Sequence, residues 1–220
     1  MTAVSVELRT VTFAERPQLR DEAAAIGASV WPEYNRHGDV VGRLWSRLTS
    51  EHPGFQFALV DASDETVALG FTLPCRWDAT VAGLSAGIDG VFDAAFADEP
   101  PTPDTLCAVA AEVAPERRRA GLSYPLTPIE RYAAWTRTDG MPFDPWVRLH
   151  VRLGADILHP EPRSLRITAP VADWERWTGL ALPESGEYVF PDGLAPLSVD
   201  CEQDVARYRE PNVWVRHPST

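Results

Sequence analysis

The stretch Thr105–Ser123, TLCAVAAEVAPERRRAGLS, is the most informative part of this chain. Its first half, Thr105 to Val113, is apolar with small residues at most positions, as expected of a strand buried centrally in a sheet. Pro115 turns the chain. A helix start follows at Glu116, carrying Arg117, Arg118, Arg119 and then Gly121. The free N–H groups of a first helical turn bind anions, and the helix dipole favours negative charge there. Three arginines at that positive end therefore need a reason, and a bound anion supplies one. Gly121 has no Cβ, so a phosphate can approach the backbone closely. The combination describes a pyrophosphate cradle that needs no metal ion. The plainer alternative is a charged helical turn exposed to water.

The upstream segments read as regular elements. Ser5 to Phe13 alternates polar and apolar residues, the pattern of a half-buried strand. Pro17 sits where a helix can begin, and Leu19, Ala23, Ile26 and Val30 keep helical spacing. Val41, Leu44, Trp45 and Leu48 share one face of a second helix, Val40 to Leu48. Phe55 to Val60 and Thr66 to Leu73 are strands joined by the polar turn Asp61-Ala62-Ser63-Asp64-Glu65, an antiparallel hairpin. Arg76 to Pro101 reads as a loop with a short amphipathic helix around Val91 to Phe96.

The segment from Glu112 resembles the acetyl-CoA motif of the GCN5-related N-acetyltransferase (GNAT) superfamily, V-x-P-x-x-R/Q-x-x-G-x-G/A. Val113, Pro115, Arg118 and Gly121 match it, and Ser123 stands at the last position. The upstream order also resembles that superfamily: strand, two helices, two antiparallel strands, an insertion and the motif strand. The likeness covers residues 3 to 123 well and the remainder loosely. It implies an α/β fold, with a mixed, mostly antiparallel central sheet flanked by helices and an elaborated C-terminal half. It also implies acetyl-CoA as acyl donor and direct attack by an amine. By the same resemblance the backbone at Val113 pairs with the pantetheine arm and stabilises the oxyanion. The N–H groups of Arg119, Ala120, Gly121, Leu122 and Ser123 cradle the pyrophosphate, and Arg118 borders it. The chain departs from the pattern after Ser123. Tyr124-Pro125-Leu126-Thr127-Pro128 comes at once, so the motif helix is expected to end by about Tyr124.

Downstream, Pro125, Pro128, Pro142 and Pro145 interrupt the chain. Short helices are expected over Ile129 to Trp135 and Trp146 to Leu153, a short strand over Ser164 to Thr168, and a helix through Val171, Trp174 and Trp177 ended by Gly179. Tyr188 to Phe190 and Leu194 to Val199 flank Pro191-Asp192-Gly193 as a hairpin. Leu149-His150-Val151-Arg152-Leu153-Gly154-Ala155 resembles the superfamily stretch L-Y-x-x-x-G-F, whose Tyr protonates the departing thiolate. His150 stands at the Tyr position, and an imidazole with a reference pKa of about 6.5 can do that work. A histidine satisfied by a neighbour is the alternative. Glu112, just before Val113, can take the proton of an ammonium acceptor directly or through water, or it can simply face solvent at the strand end.

Composition bounds these readings. The 220 residues carry a net charge of −12, with 45% hydrophobic and 24% charged residues, an ordinary globular balance. The negative charge argues against nucleic acid and against an anionic membrane as partner. It suits encounter with a cationic small-molecule amine. The three cysteines, Cys75, Cys107 and Cys201, have no metal-ligand spacing, and none sits in the motif as a nucleophile. Reduced thiols, no apolar leader in the first residues and no membrane-length apolar run point to the cytoplasm. The five histidines show no metal spacing, so no metal is expected. Gly83-Leu84-Ser85-Ala86-Gly87 matches the spacing of a serine-hydrolase elbow but lacks a buried strand before it. Residues 1–220 read as one acetyltransferase-like domain, 1–123 the better-matched core and 124–220 the divergent half. The reading is an acyl-CoA-dependent N-acyltransferase. The rival is a non-catalytic ligand-binding or interaction module on the same frame. Neither the acceptor nor the oligomeric state is legible.

Overall fold

Residues 8–113 and 124–218 are described by a computed structural model, and its strands fall into two antiparallel sheets of four. In the first sheet β1 (Arg9–Thr12), β2 (Phe57–Val60), β3 (Thr66–Cys75) and β4 (Thr105–Val113) lie in chain order. In the second the order is β5 (Asp156–Ala169), β8 (Val205–Arg216), β7 (Leu197–Asp200), β6 (Gly186–Tyr188). Six α-helices accompany them among the described residues: α1 (Leu19–Val30), α2 (Val41–Glu51), α3 (Gly87–Ala95), α4 (Ile129–Ala133), α5 (Pro145–Arg152) and α6 (Val171–Thr178). None is long and apolar enough to cross a membrane.

The first core forms where three helices lay their apolar stripes on one face of β2, β3 and β4. Leu19 and Ala23 of α1, Leu48 of α2 and Val91 and Phe92 of α3 meet Ala58, Val60, Leu69, Phe71, Leu73 and Val109. The second core packs Trp174 of α6 against Tyr34, Phe190 and Tyr208, all buried. Gly179 ends α6 with a left-handed φ of 71°, as its position in the sequence predicts.

The two sheets join through the outer edge of β5. An edge strand leaves backbone groups unpaired, and here carboxylates meet them. The Arg166 N–H donates to Asp89 at 2.8 Å and the Thr168 N–H to Asp39 at 2.7 Å. The Asp39 N–H returns a bond to the Arg166 carbonyl at 2.8 Å, and the Arg166 guanidinium closes on Asp39 at 2.6 Å. Farther along, β5 bulges: Glu161 pairs with Asn212 and Leu165 with Glu210, so Pro162, Arg163 and Ser164 face only Pro211. Neither proline can donate to the ladder. The bulge presses Ser164 onto Gly87 at the start of α3, where the Ile88 N–H donates to the Ser164 hydroxyl at 2.9 Å.

Several expectations change. β4 has the expected bounds but is not central: it lies at the edge of its sheet among the described strands. The reason is that β5 pairs with β8, and its other edge is taken by Asp39 and Asp89. The strand expected over Ser164–Thr168 is the end of the much longer β5, and β8 was not anticipated. Phe55 belongs to a short 3-10 turn rather than to β2. Tyr124 to Thr127 form a turn before α4, so no unbroken helix runs from Glu116 to Trp135. Residues 5–7 of the first strand, and the helix expected from Glu116, lie outside the described residues.

Candidate active site

The end of β4 is shaped by one extra residue. Phe71 pairs with Ala110 and Thr72 with Ala108, leaving Val109 without a partner on β3. Such a bulge reverses the alternation of a strand and re-aims the side chains beyond it. Cys107 and Val109 face the core before it. Unbroken alternation would turn Glu112 to solvent; with the bulge, Glu112 pairs with Leu69 and faces inward, only 3% exposed. On the opposite face Leu106, Ala108 and Ala111 are exposed, so the strand is shallow there.

The other side of β3 is stabilised at the same level by Gln56. Its side chain accepts from the Thr72 N–H at 3.0 Å and donates to the Thr72 carbonyl at 2.9 Å. It thereby stands in for a strand where β2 has not yet begun. Gln56 is fully buried.

Glu112 lies under the C-terminal end of α1. The Trp31 indole N–H donates to its Oε1 at 2.7 Å. Its Oε2 is buried without a hydrogen-bond partner among the described residues. Burial raises its pKa above the ordinary glutamate value, and the Trp31 bond partly offsets this. Oε2 thus keeps free lone pairs among the described residues.

His150 occupies a different place. It lies on α5, which packs against β5 and β8 of the second sheet. Asp144 caps this helix, accepting from the Trp146 and Val147 N–H groups at 2.8 Å each, and Tyr132 donates to the same carboxylate at 2.8 Å. His150 Nδ1 meets His217 Nε2 at 2.9 Å. Its pKa is lowered by partial burial and then by His217. Glu112 and His150 share no hydrogen bond; each is occupied by its own neighbour.

No protein-family model matches the chain. Among curated proteins it is similar to the arginine N-acetyltransferase avaD of Aspergillus versicolor, with 27% identity over 249 residues, 87% of this chain and 86% of that protein. That likeness to an N-acetyltransferase, over most of both chains, agrees with the resemblance of this sequence to the GCN5-related N-acetyltransferase superfamily. A solved structure, the loading GNATL domain of CurA from Lyngbya majuscula, overlays on it with a TM-score of 0.46 at 16% identity. The overlay covers 92% of this chain and 96% of that one.

Of the GNAT motif, Val113 is described: it ends β4, half-buried and paired with Ala68. Arg118, Arg119, Ala120, Gly121, Leu122 and Ser123 lie outside the described residues. Ser85 is no hydrolase elbow, since β3 ends at Cys75 and a loop precedes α3. The three cysteines are free, and no group of three or more potential metal ligands converges among the described residues. Trp31, Gly27 and Gln56 were not singled out in the sequence. The available signals were a glycine inside the alanine-rich run of α1 and a Trp-Pro pair at its end.

Proposed function

We propose that this chain transfers an acetyl group from acetyl-CoA to the nitrogen of a small cationic acceptor. The acceptor class is an amine or guanidine, by likeness to the curated arginine N-acetyltransferase. The observation that carries the reading is the bulged edge of β4 beside the Glu112 carboxylate, an edge that no other strand pairs with among the described residues. A free strand edge offers N–H and C=O groups of the kind that pair with the amides of a pantetheine arm. The exposed Ala108 and Ala111 leave the strand surface shallow beside it.

Acetyl-CoA supplies the activated acyl group. Glu112 takes the acceptor's proton on Oε2, through one water, which leaves a neutral nitrogen to attack. The new bond joins that nitrogen to the acyl carbon, and the carbon–sulfur bond breaks. A backbone N–H near Val113 bonds the developing oxyanion. The nitrogen then gives up its second proton, which His150, held neutral by its lowered pKa, accepts and passes to the thiolate. Residues 118–123 bind the pyrophosphate. The hydrogen bonds from Asp39 and Asp89 to β5 support reading residues 1–220 as one domain. Three free thiols support a reducing, cytoplasmic setting.

The test is thiol release from acetyl-CoA with arginine and simple amines as acceptors, in wild type and Glu112→Gln. Loss of a general base should lower kcat by about 10²-fold or more. Full activity in the variant would remove Glu112 from the mechanism. Binding of acetyl-CoA without release of thiol to any acceptor would favour a binding module over an enzyme.

A further inference from the structure

Gly27, a costly residue inside α1, and Trp31, just past its end, both meet Glu112. Gly27 sits in the run Ala23-Ala24-Ala25-Ile26-Gly27-Ala28, where alanine would favour the helix by about 1 kcal/mol. A Cβ at Gly27 would lie 3.2 Å from Oε1 and 3.6 Å from Oε2 of Glu112. The glycine thus leaves the space that the carboxylate fills. Four residues on, Trp31 comes after the last turn and precedes Pro32, which pushes it out of helical geometry to a ψ of 136°. There its indole reaches Oε1 at 2.7 Å.

We propose that Trp31 is a positioning residue: it holds Oε1 of Glu112 in the space that Gly27 leaves, so that Oε2 alone keeps free lone pairs for the acceptor's proton. The proposal rests on Glu112 being the base. An indole N–H is a donor only, so it can never compete for that proton. It favours the charged form of the carboxylate and fixes which oxygen carries the free lone pairs. A buried carboxylate with an unpartnered oxygen is costly to a fold, and buried polar atoms are nearly always satisfied. Function accounts for this exception. The surroundings keep the titration simple. α1 faces the carboxylate with Gly27 and Trp31, and β3 with Leu69, none of which titrates. Burial and the Trp31 bond set its acidity.

The experiment compares wild type, Trp31→Phe, Gly27→Ala and Glu112→Gln by pH–rate profile, acetyl-CoA affinity and indole ¹⁵N NMR. Trp31→Phe keeps most of the ring and removes the donor. Its acidic limb should move up by about 0.7 pH unit, the equivalent of one hydrogen bond of about 1 kcal/mol. Its kcat should fall several-fold with KM for acetyl-CoA unchanged. Gly27→Ala should lower kcat in the same way, with unfolding monitored separately. In wild type the Trp31 indole resonance should titrate with the carboxyl, and in Glu112→Gln it should be flat. That readout needs no turnover. A wild-type indole insensitive to pH across the carboxyl range would overturn the hold on Oε1. An unmoved acidic limb and kcat in Trp31→Phe, with Glu112→Gln inactive, would overturn positioning while leaving Glu112 as base. An unimpaired Glu112→Gln would overturn the underlying reading instead.

Discussion

Gly87→Ala tests the junction between the two sheets. Gly87 starts α3 with φ of 67°, and a Cβ there would run into the backbone of Ser164 in the β5 bulge. Two costs are separable. An alanine in the left-handed region loses about 1 kcal/mol relative to glycine. Intrusion into a packed contact adds about 1–3 kcal/mol, since Ser164 is 2% exposed and its backbone cannot swing aside like a flexible side chain. The total is about 3 kcal/mol. At about 2–4 °C per kcal/mol for a chain of this size, the melting temperature should fall by roughly 6–12 °C. Gly179→Ala is the matched control: its φ is 71°, yet nothing lies within 4 Å of the added Cβ. It should lose only the conformational part, about 1 kcal/mol. Urea unfolding of both variants at one pH measures the difference directly. Equal losses would show that the close approach of α3 to β5 is not a feature of the folded chain.

Gln56→Leu should cost about 3 kcal/mol in urea unfolding, because both backbone groups of Thr72 and the His52 carbonyl lose their partner in a buried place. Asp89 has its pKa raised to about 6, by burial first and by Asp39 and Asp93 last, against the opposing Arg166 backbone N–H and guanidinium. The folded chain therefore binds this proton more tightly than the unfolded one. The resulting stabilisation is full below about pH 4 and lost as pH rises through about 6. Asp89→Asn, whose amide oxygen can still accept from Arg166, should flatten that part of the stability–pH curve by on the order of 1 kcal/mol, allowing for partial exposure. Acetyl-CoA at a hundredfold excess over Kd should stabilise the wild type by about 2.7 kcal/mol. Arg118→Glu should weaken that binding in calorimetry at fixed salt; an unchanged Kd would remove the basic turn as the pyrophosphate site.

The elements legible in the sequence are those whose signal is local. Periodicity placed α1, α2 and the β2–β3 hairpin, and small apolar residues bounded by Asp104 and Pro115 placed β4. What escaped depends on partners far along the chain. β8 alternates along Val205 to Arg216, but Pro211 breaks its middle, and only pairing with β5 makes one strand of it. The edge position of β4 is decided by where β5 goes, which no property of Thr105 to Val113 encodes. Glu112 shows the limit most directly. Its place beside the motif is written in the sequence, yet its direction is set by a single unpaired residue, Val109. Counting by twos from Cys107 sends Glu112 to solvent; one extra residue sends it under α1, to Trp31. A small residue such as alanine at 108, 110 or 111 carries no mark of a bulge, so the same nine letters allow either phase. The independent mark lies elsewhere, in the glycine of α1. A helix that gives up an alanine there must make room for something, and the bulge brings the carboxylate that fills the room.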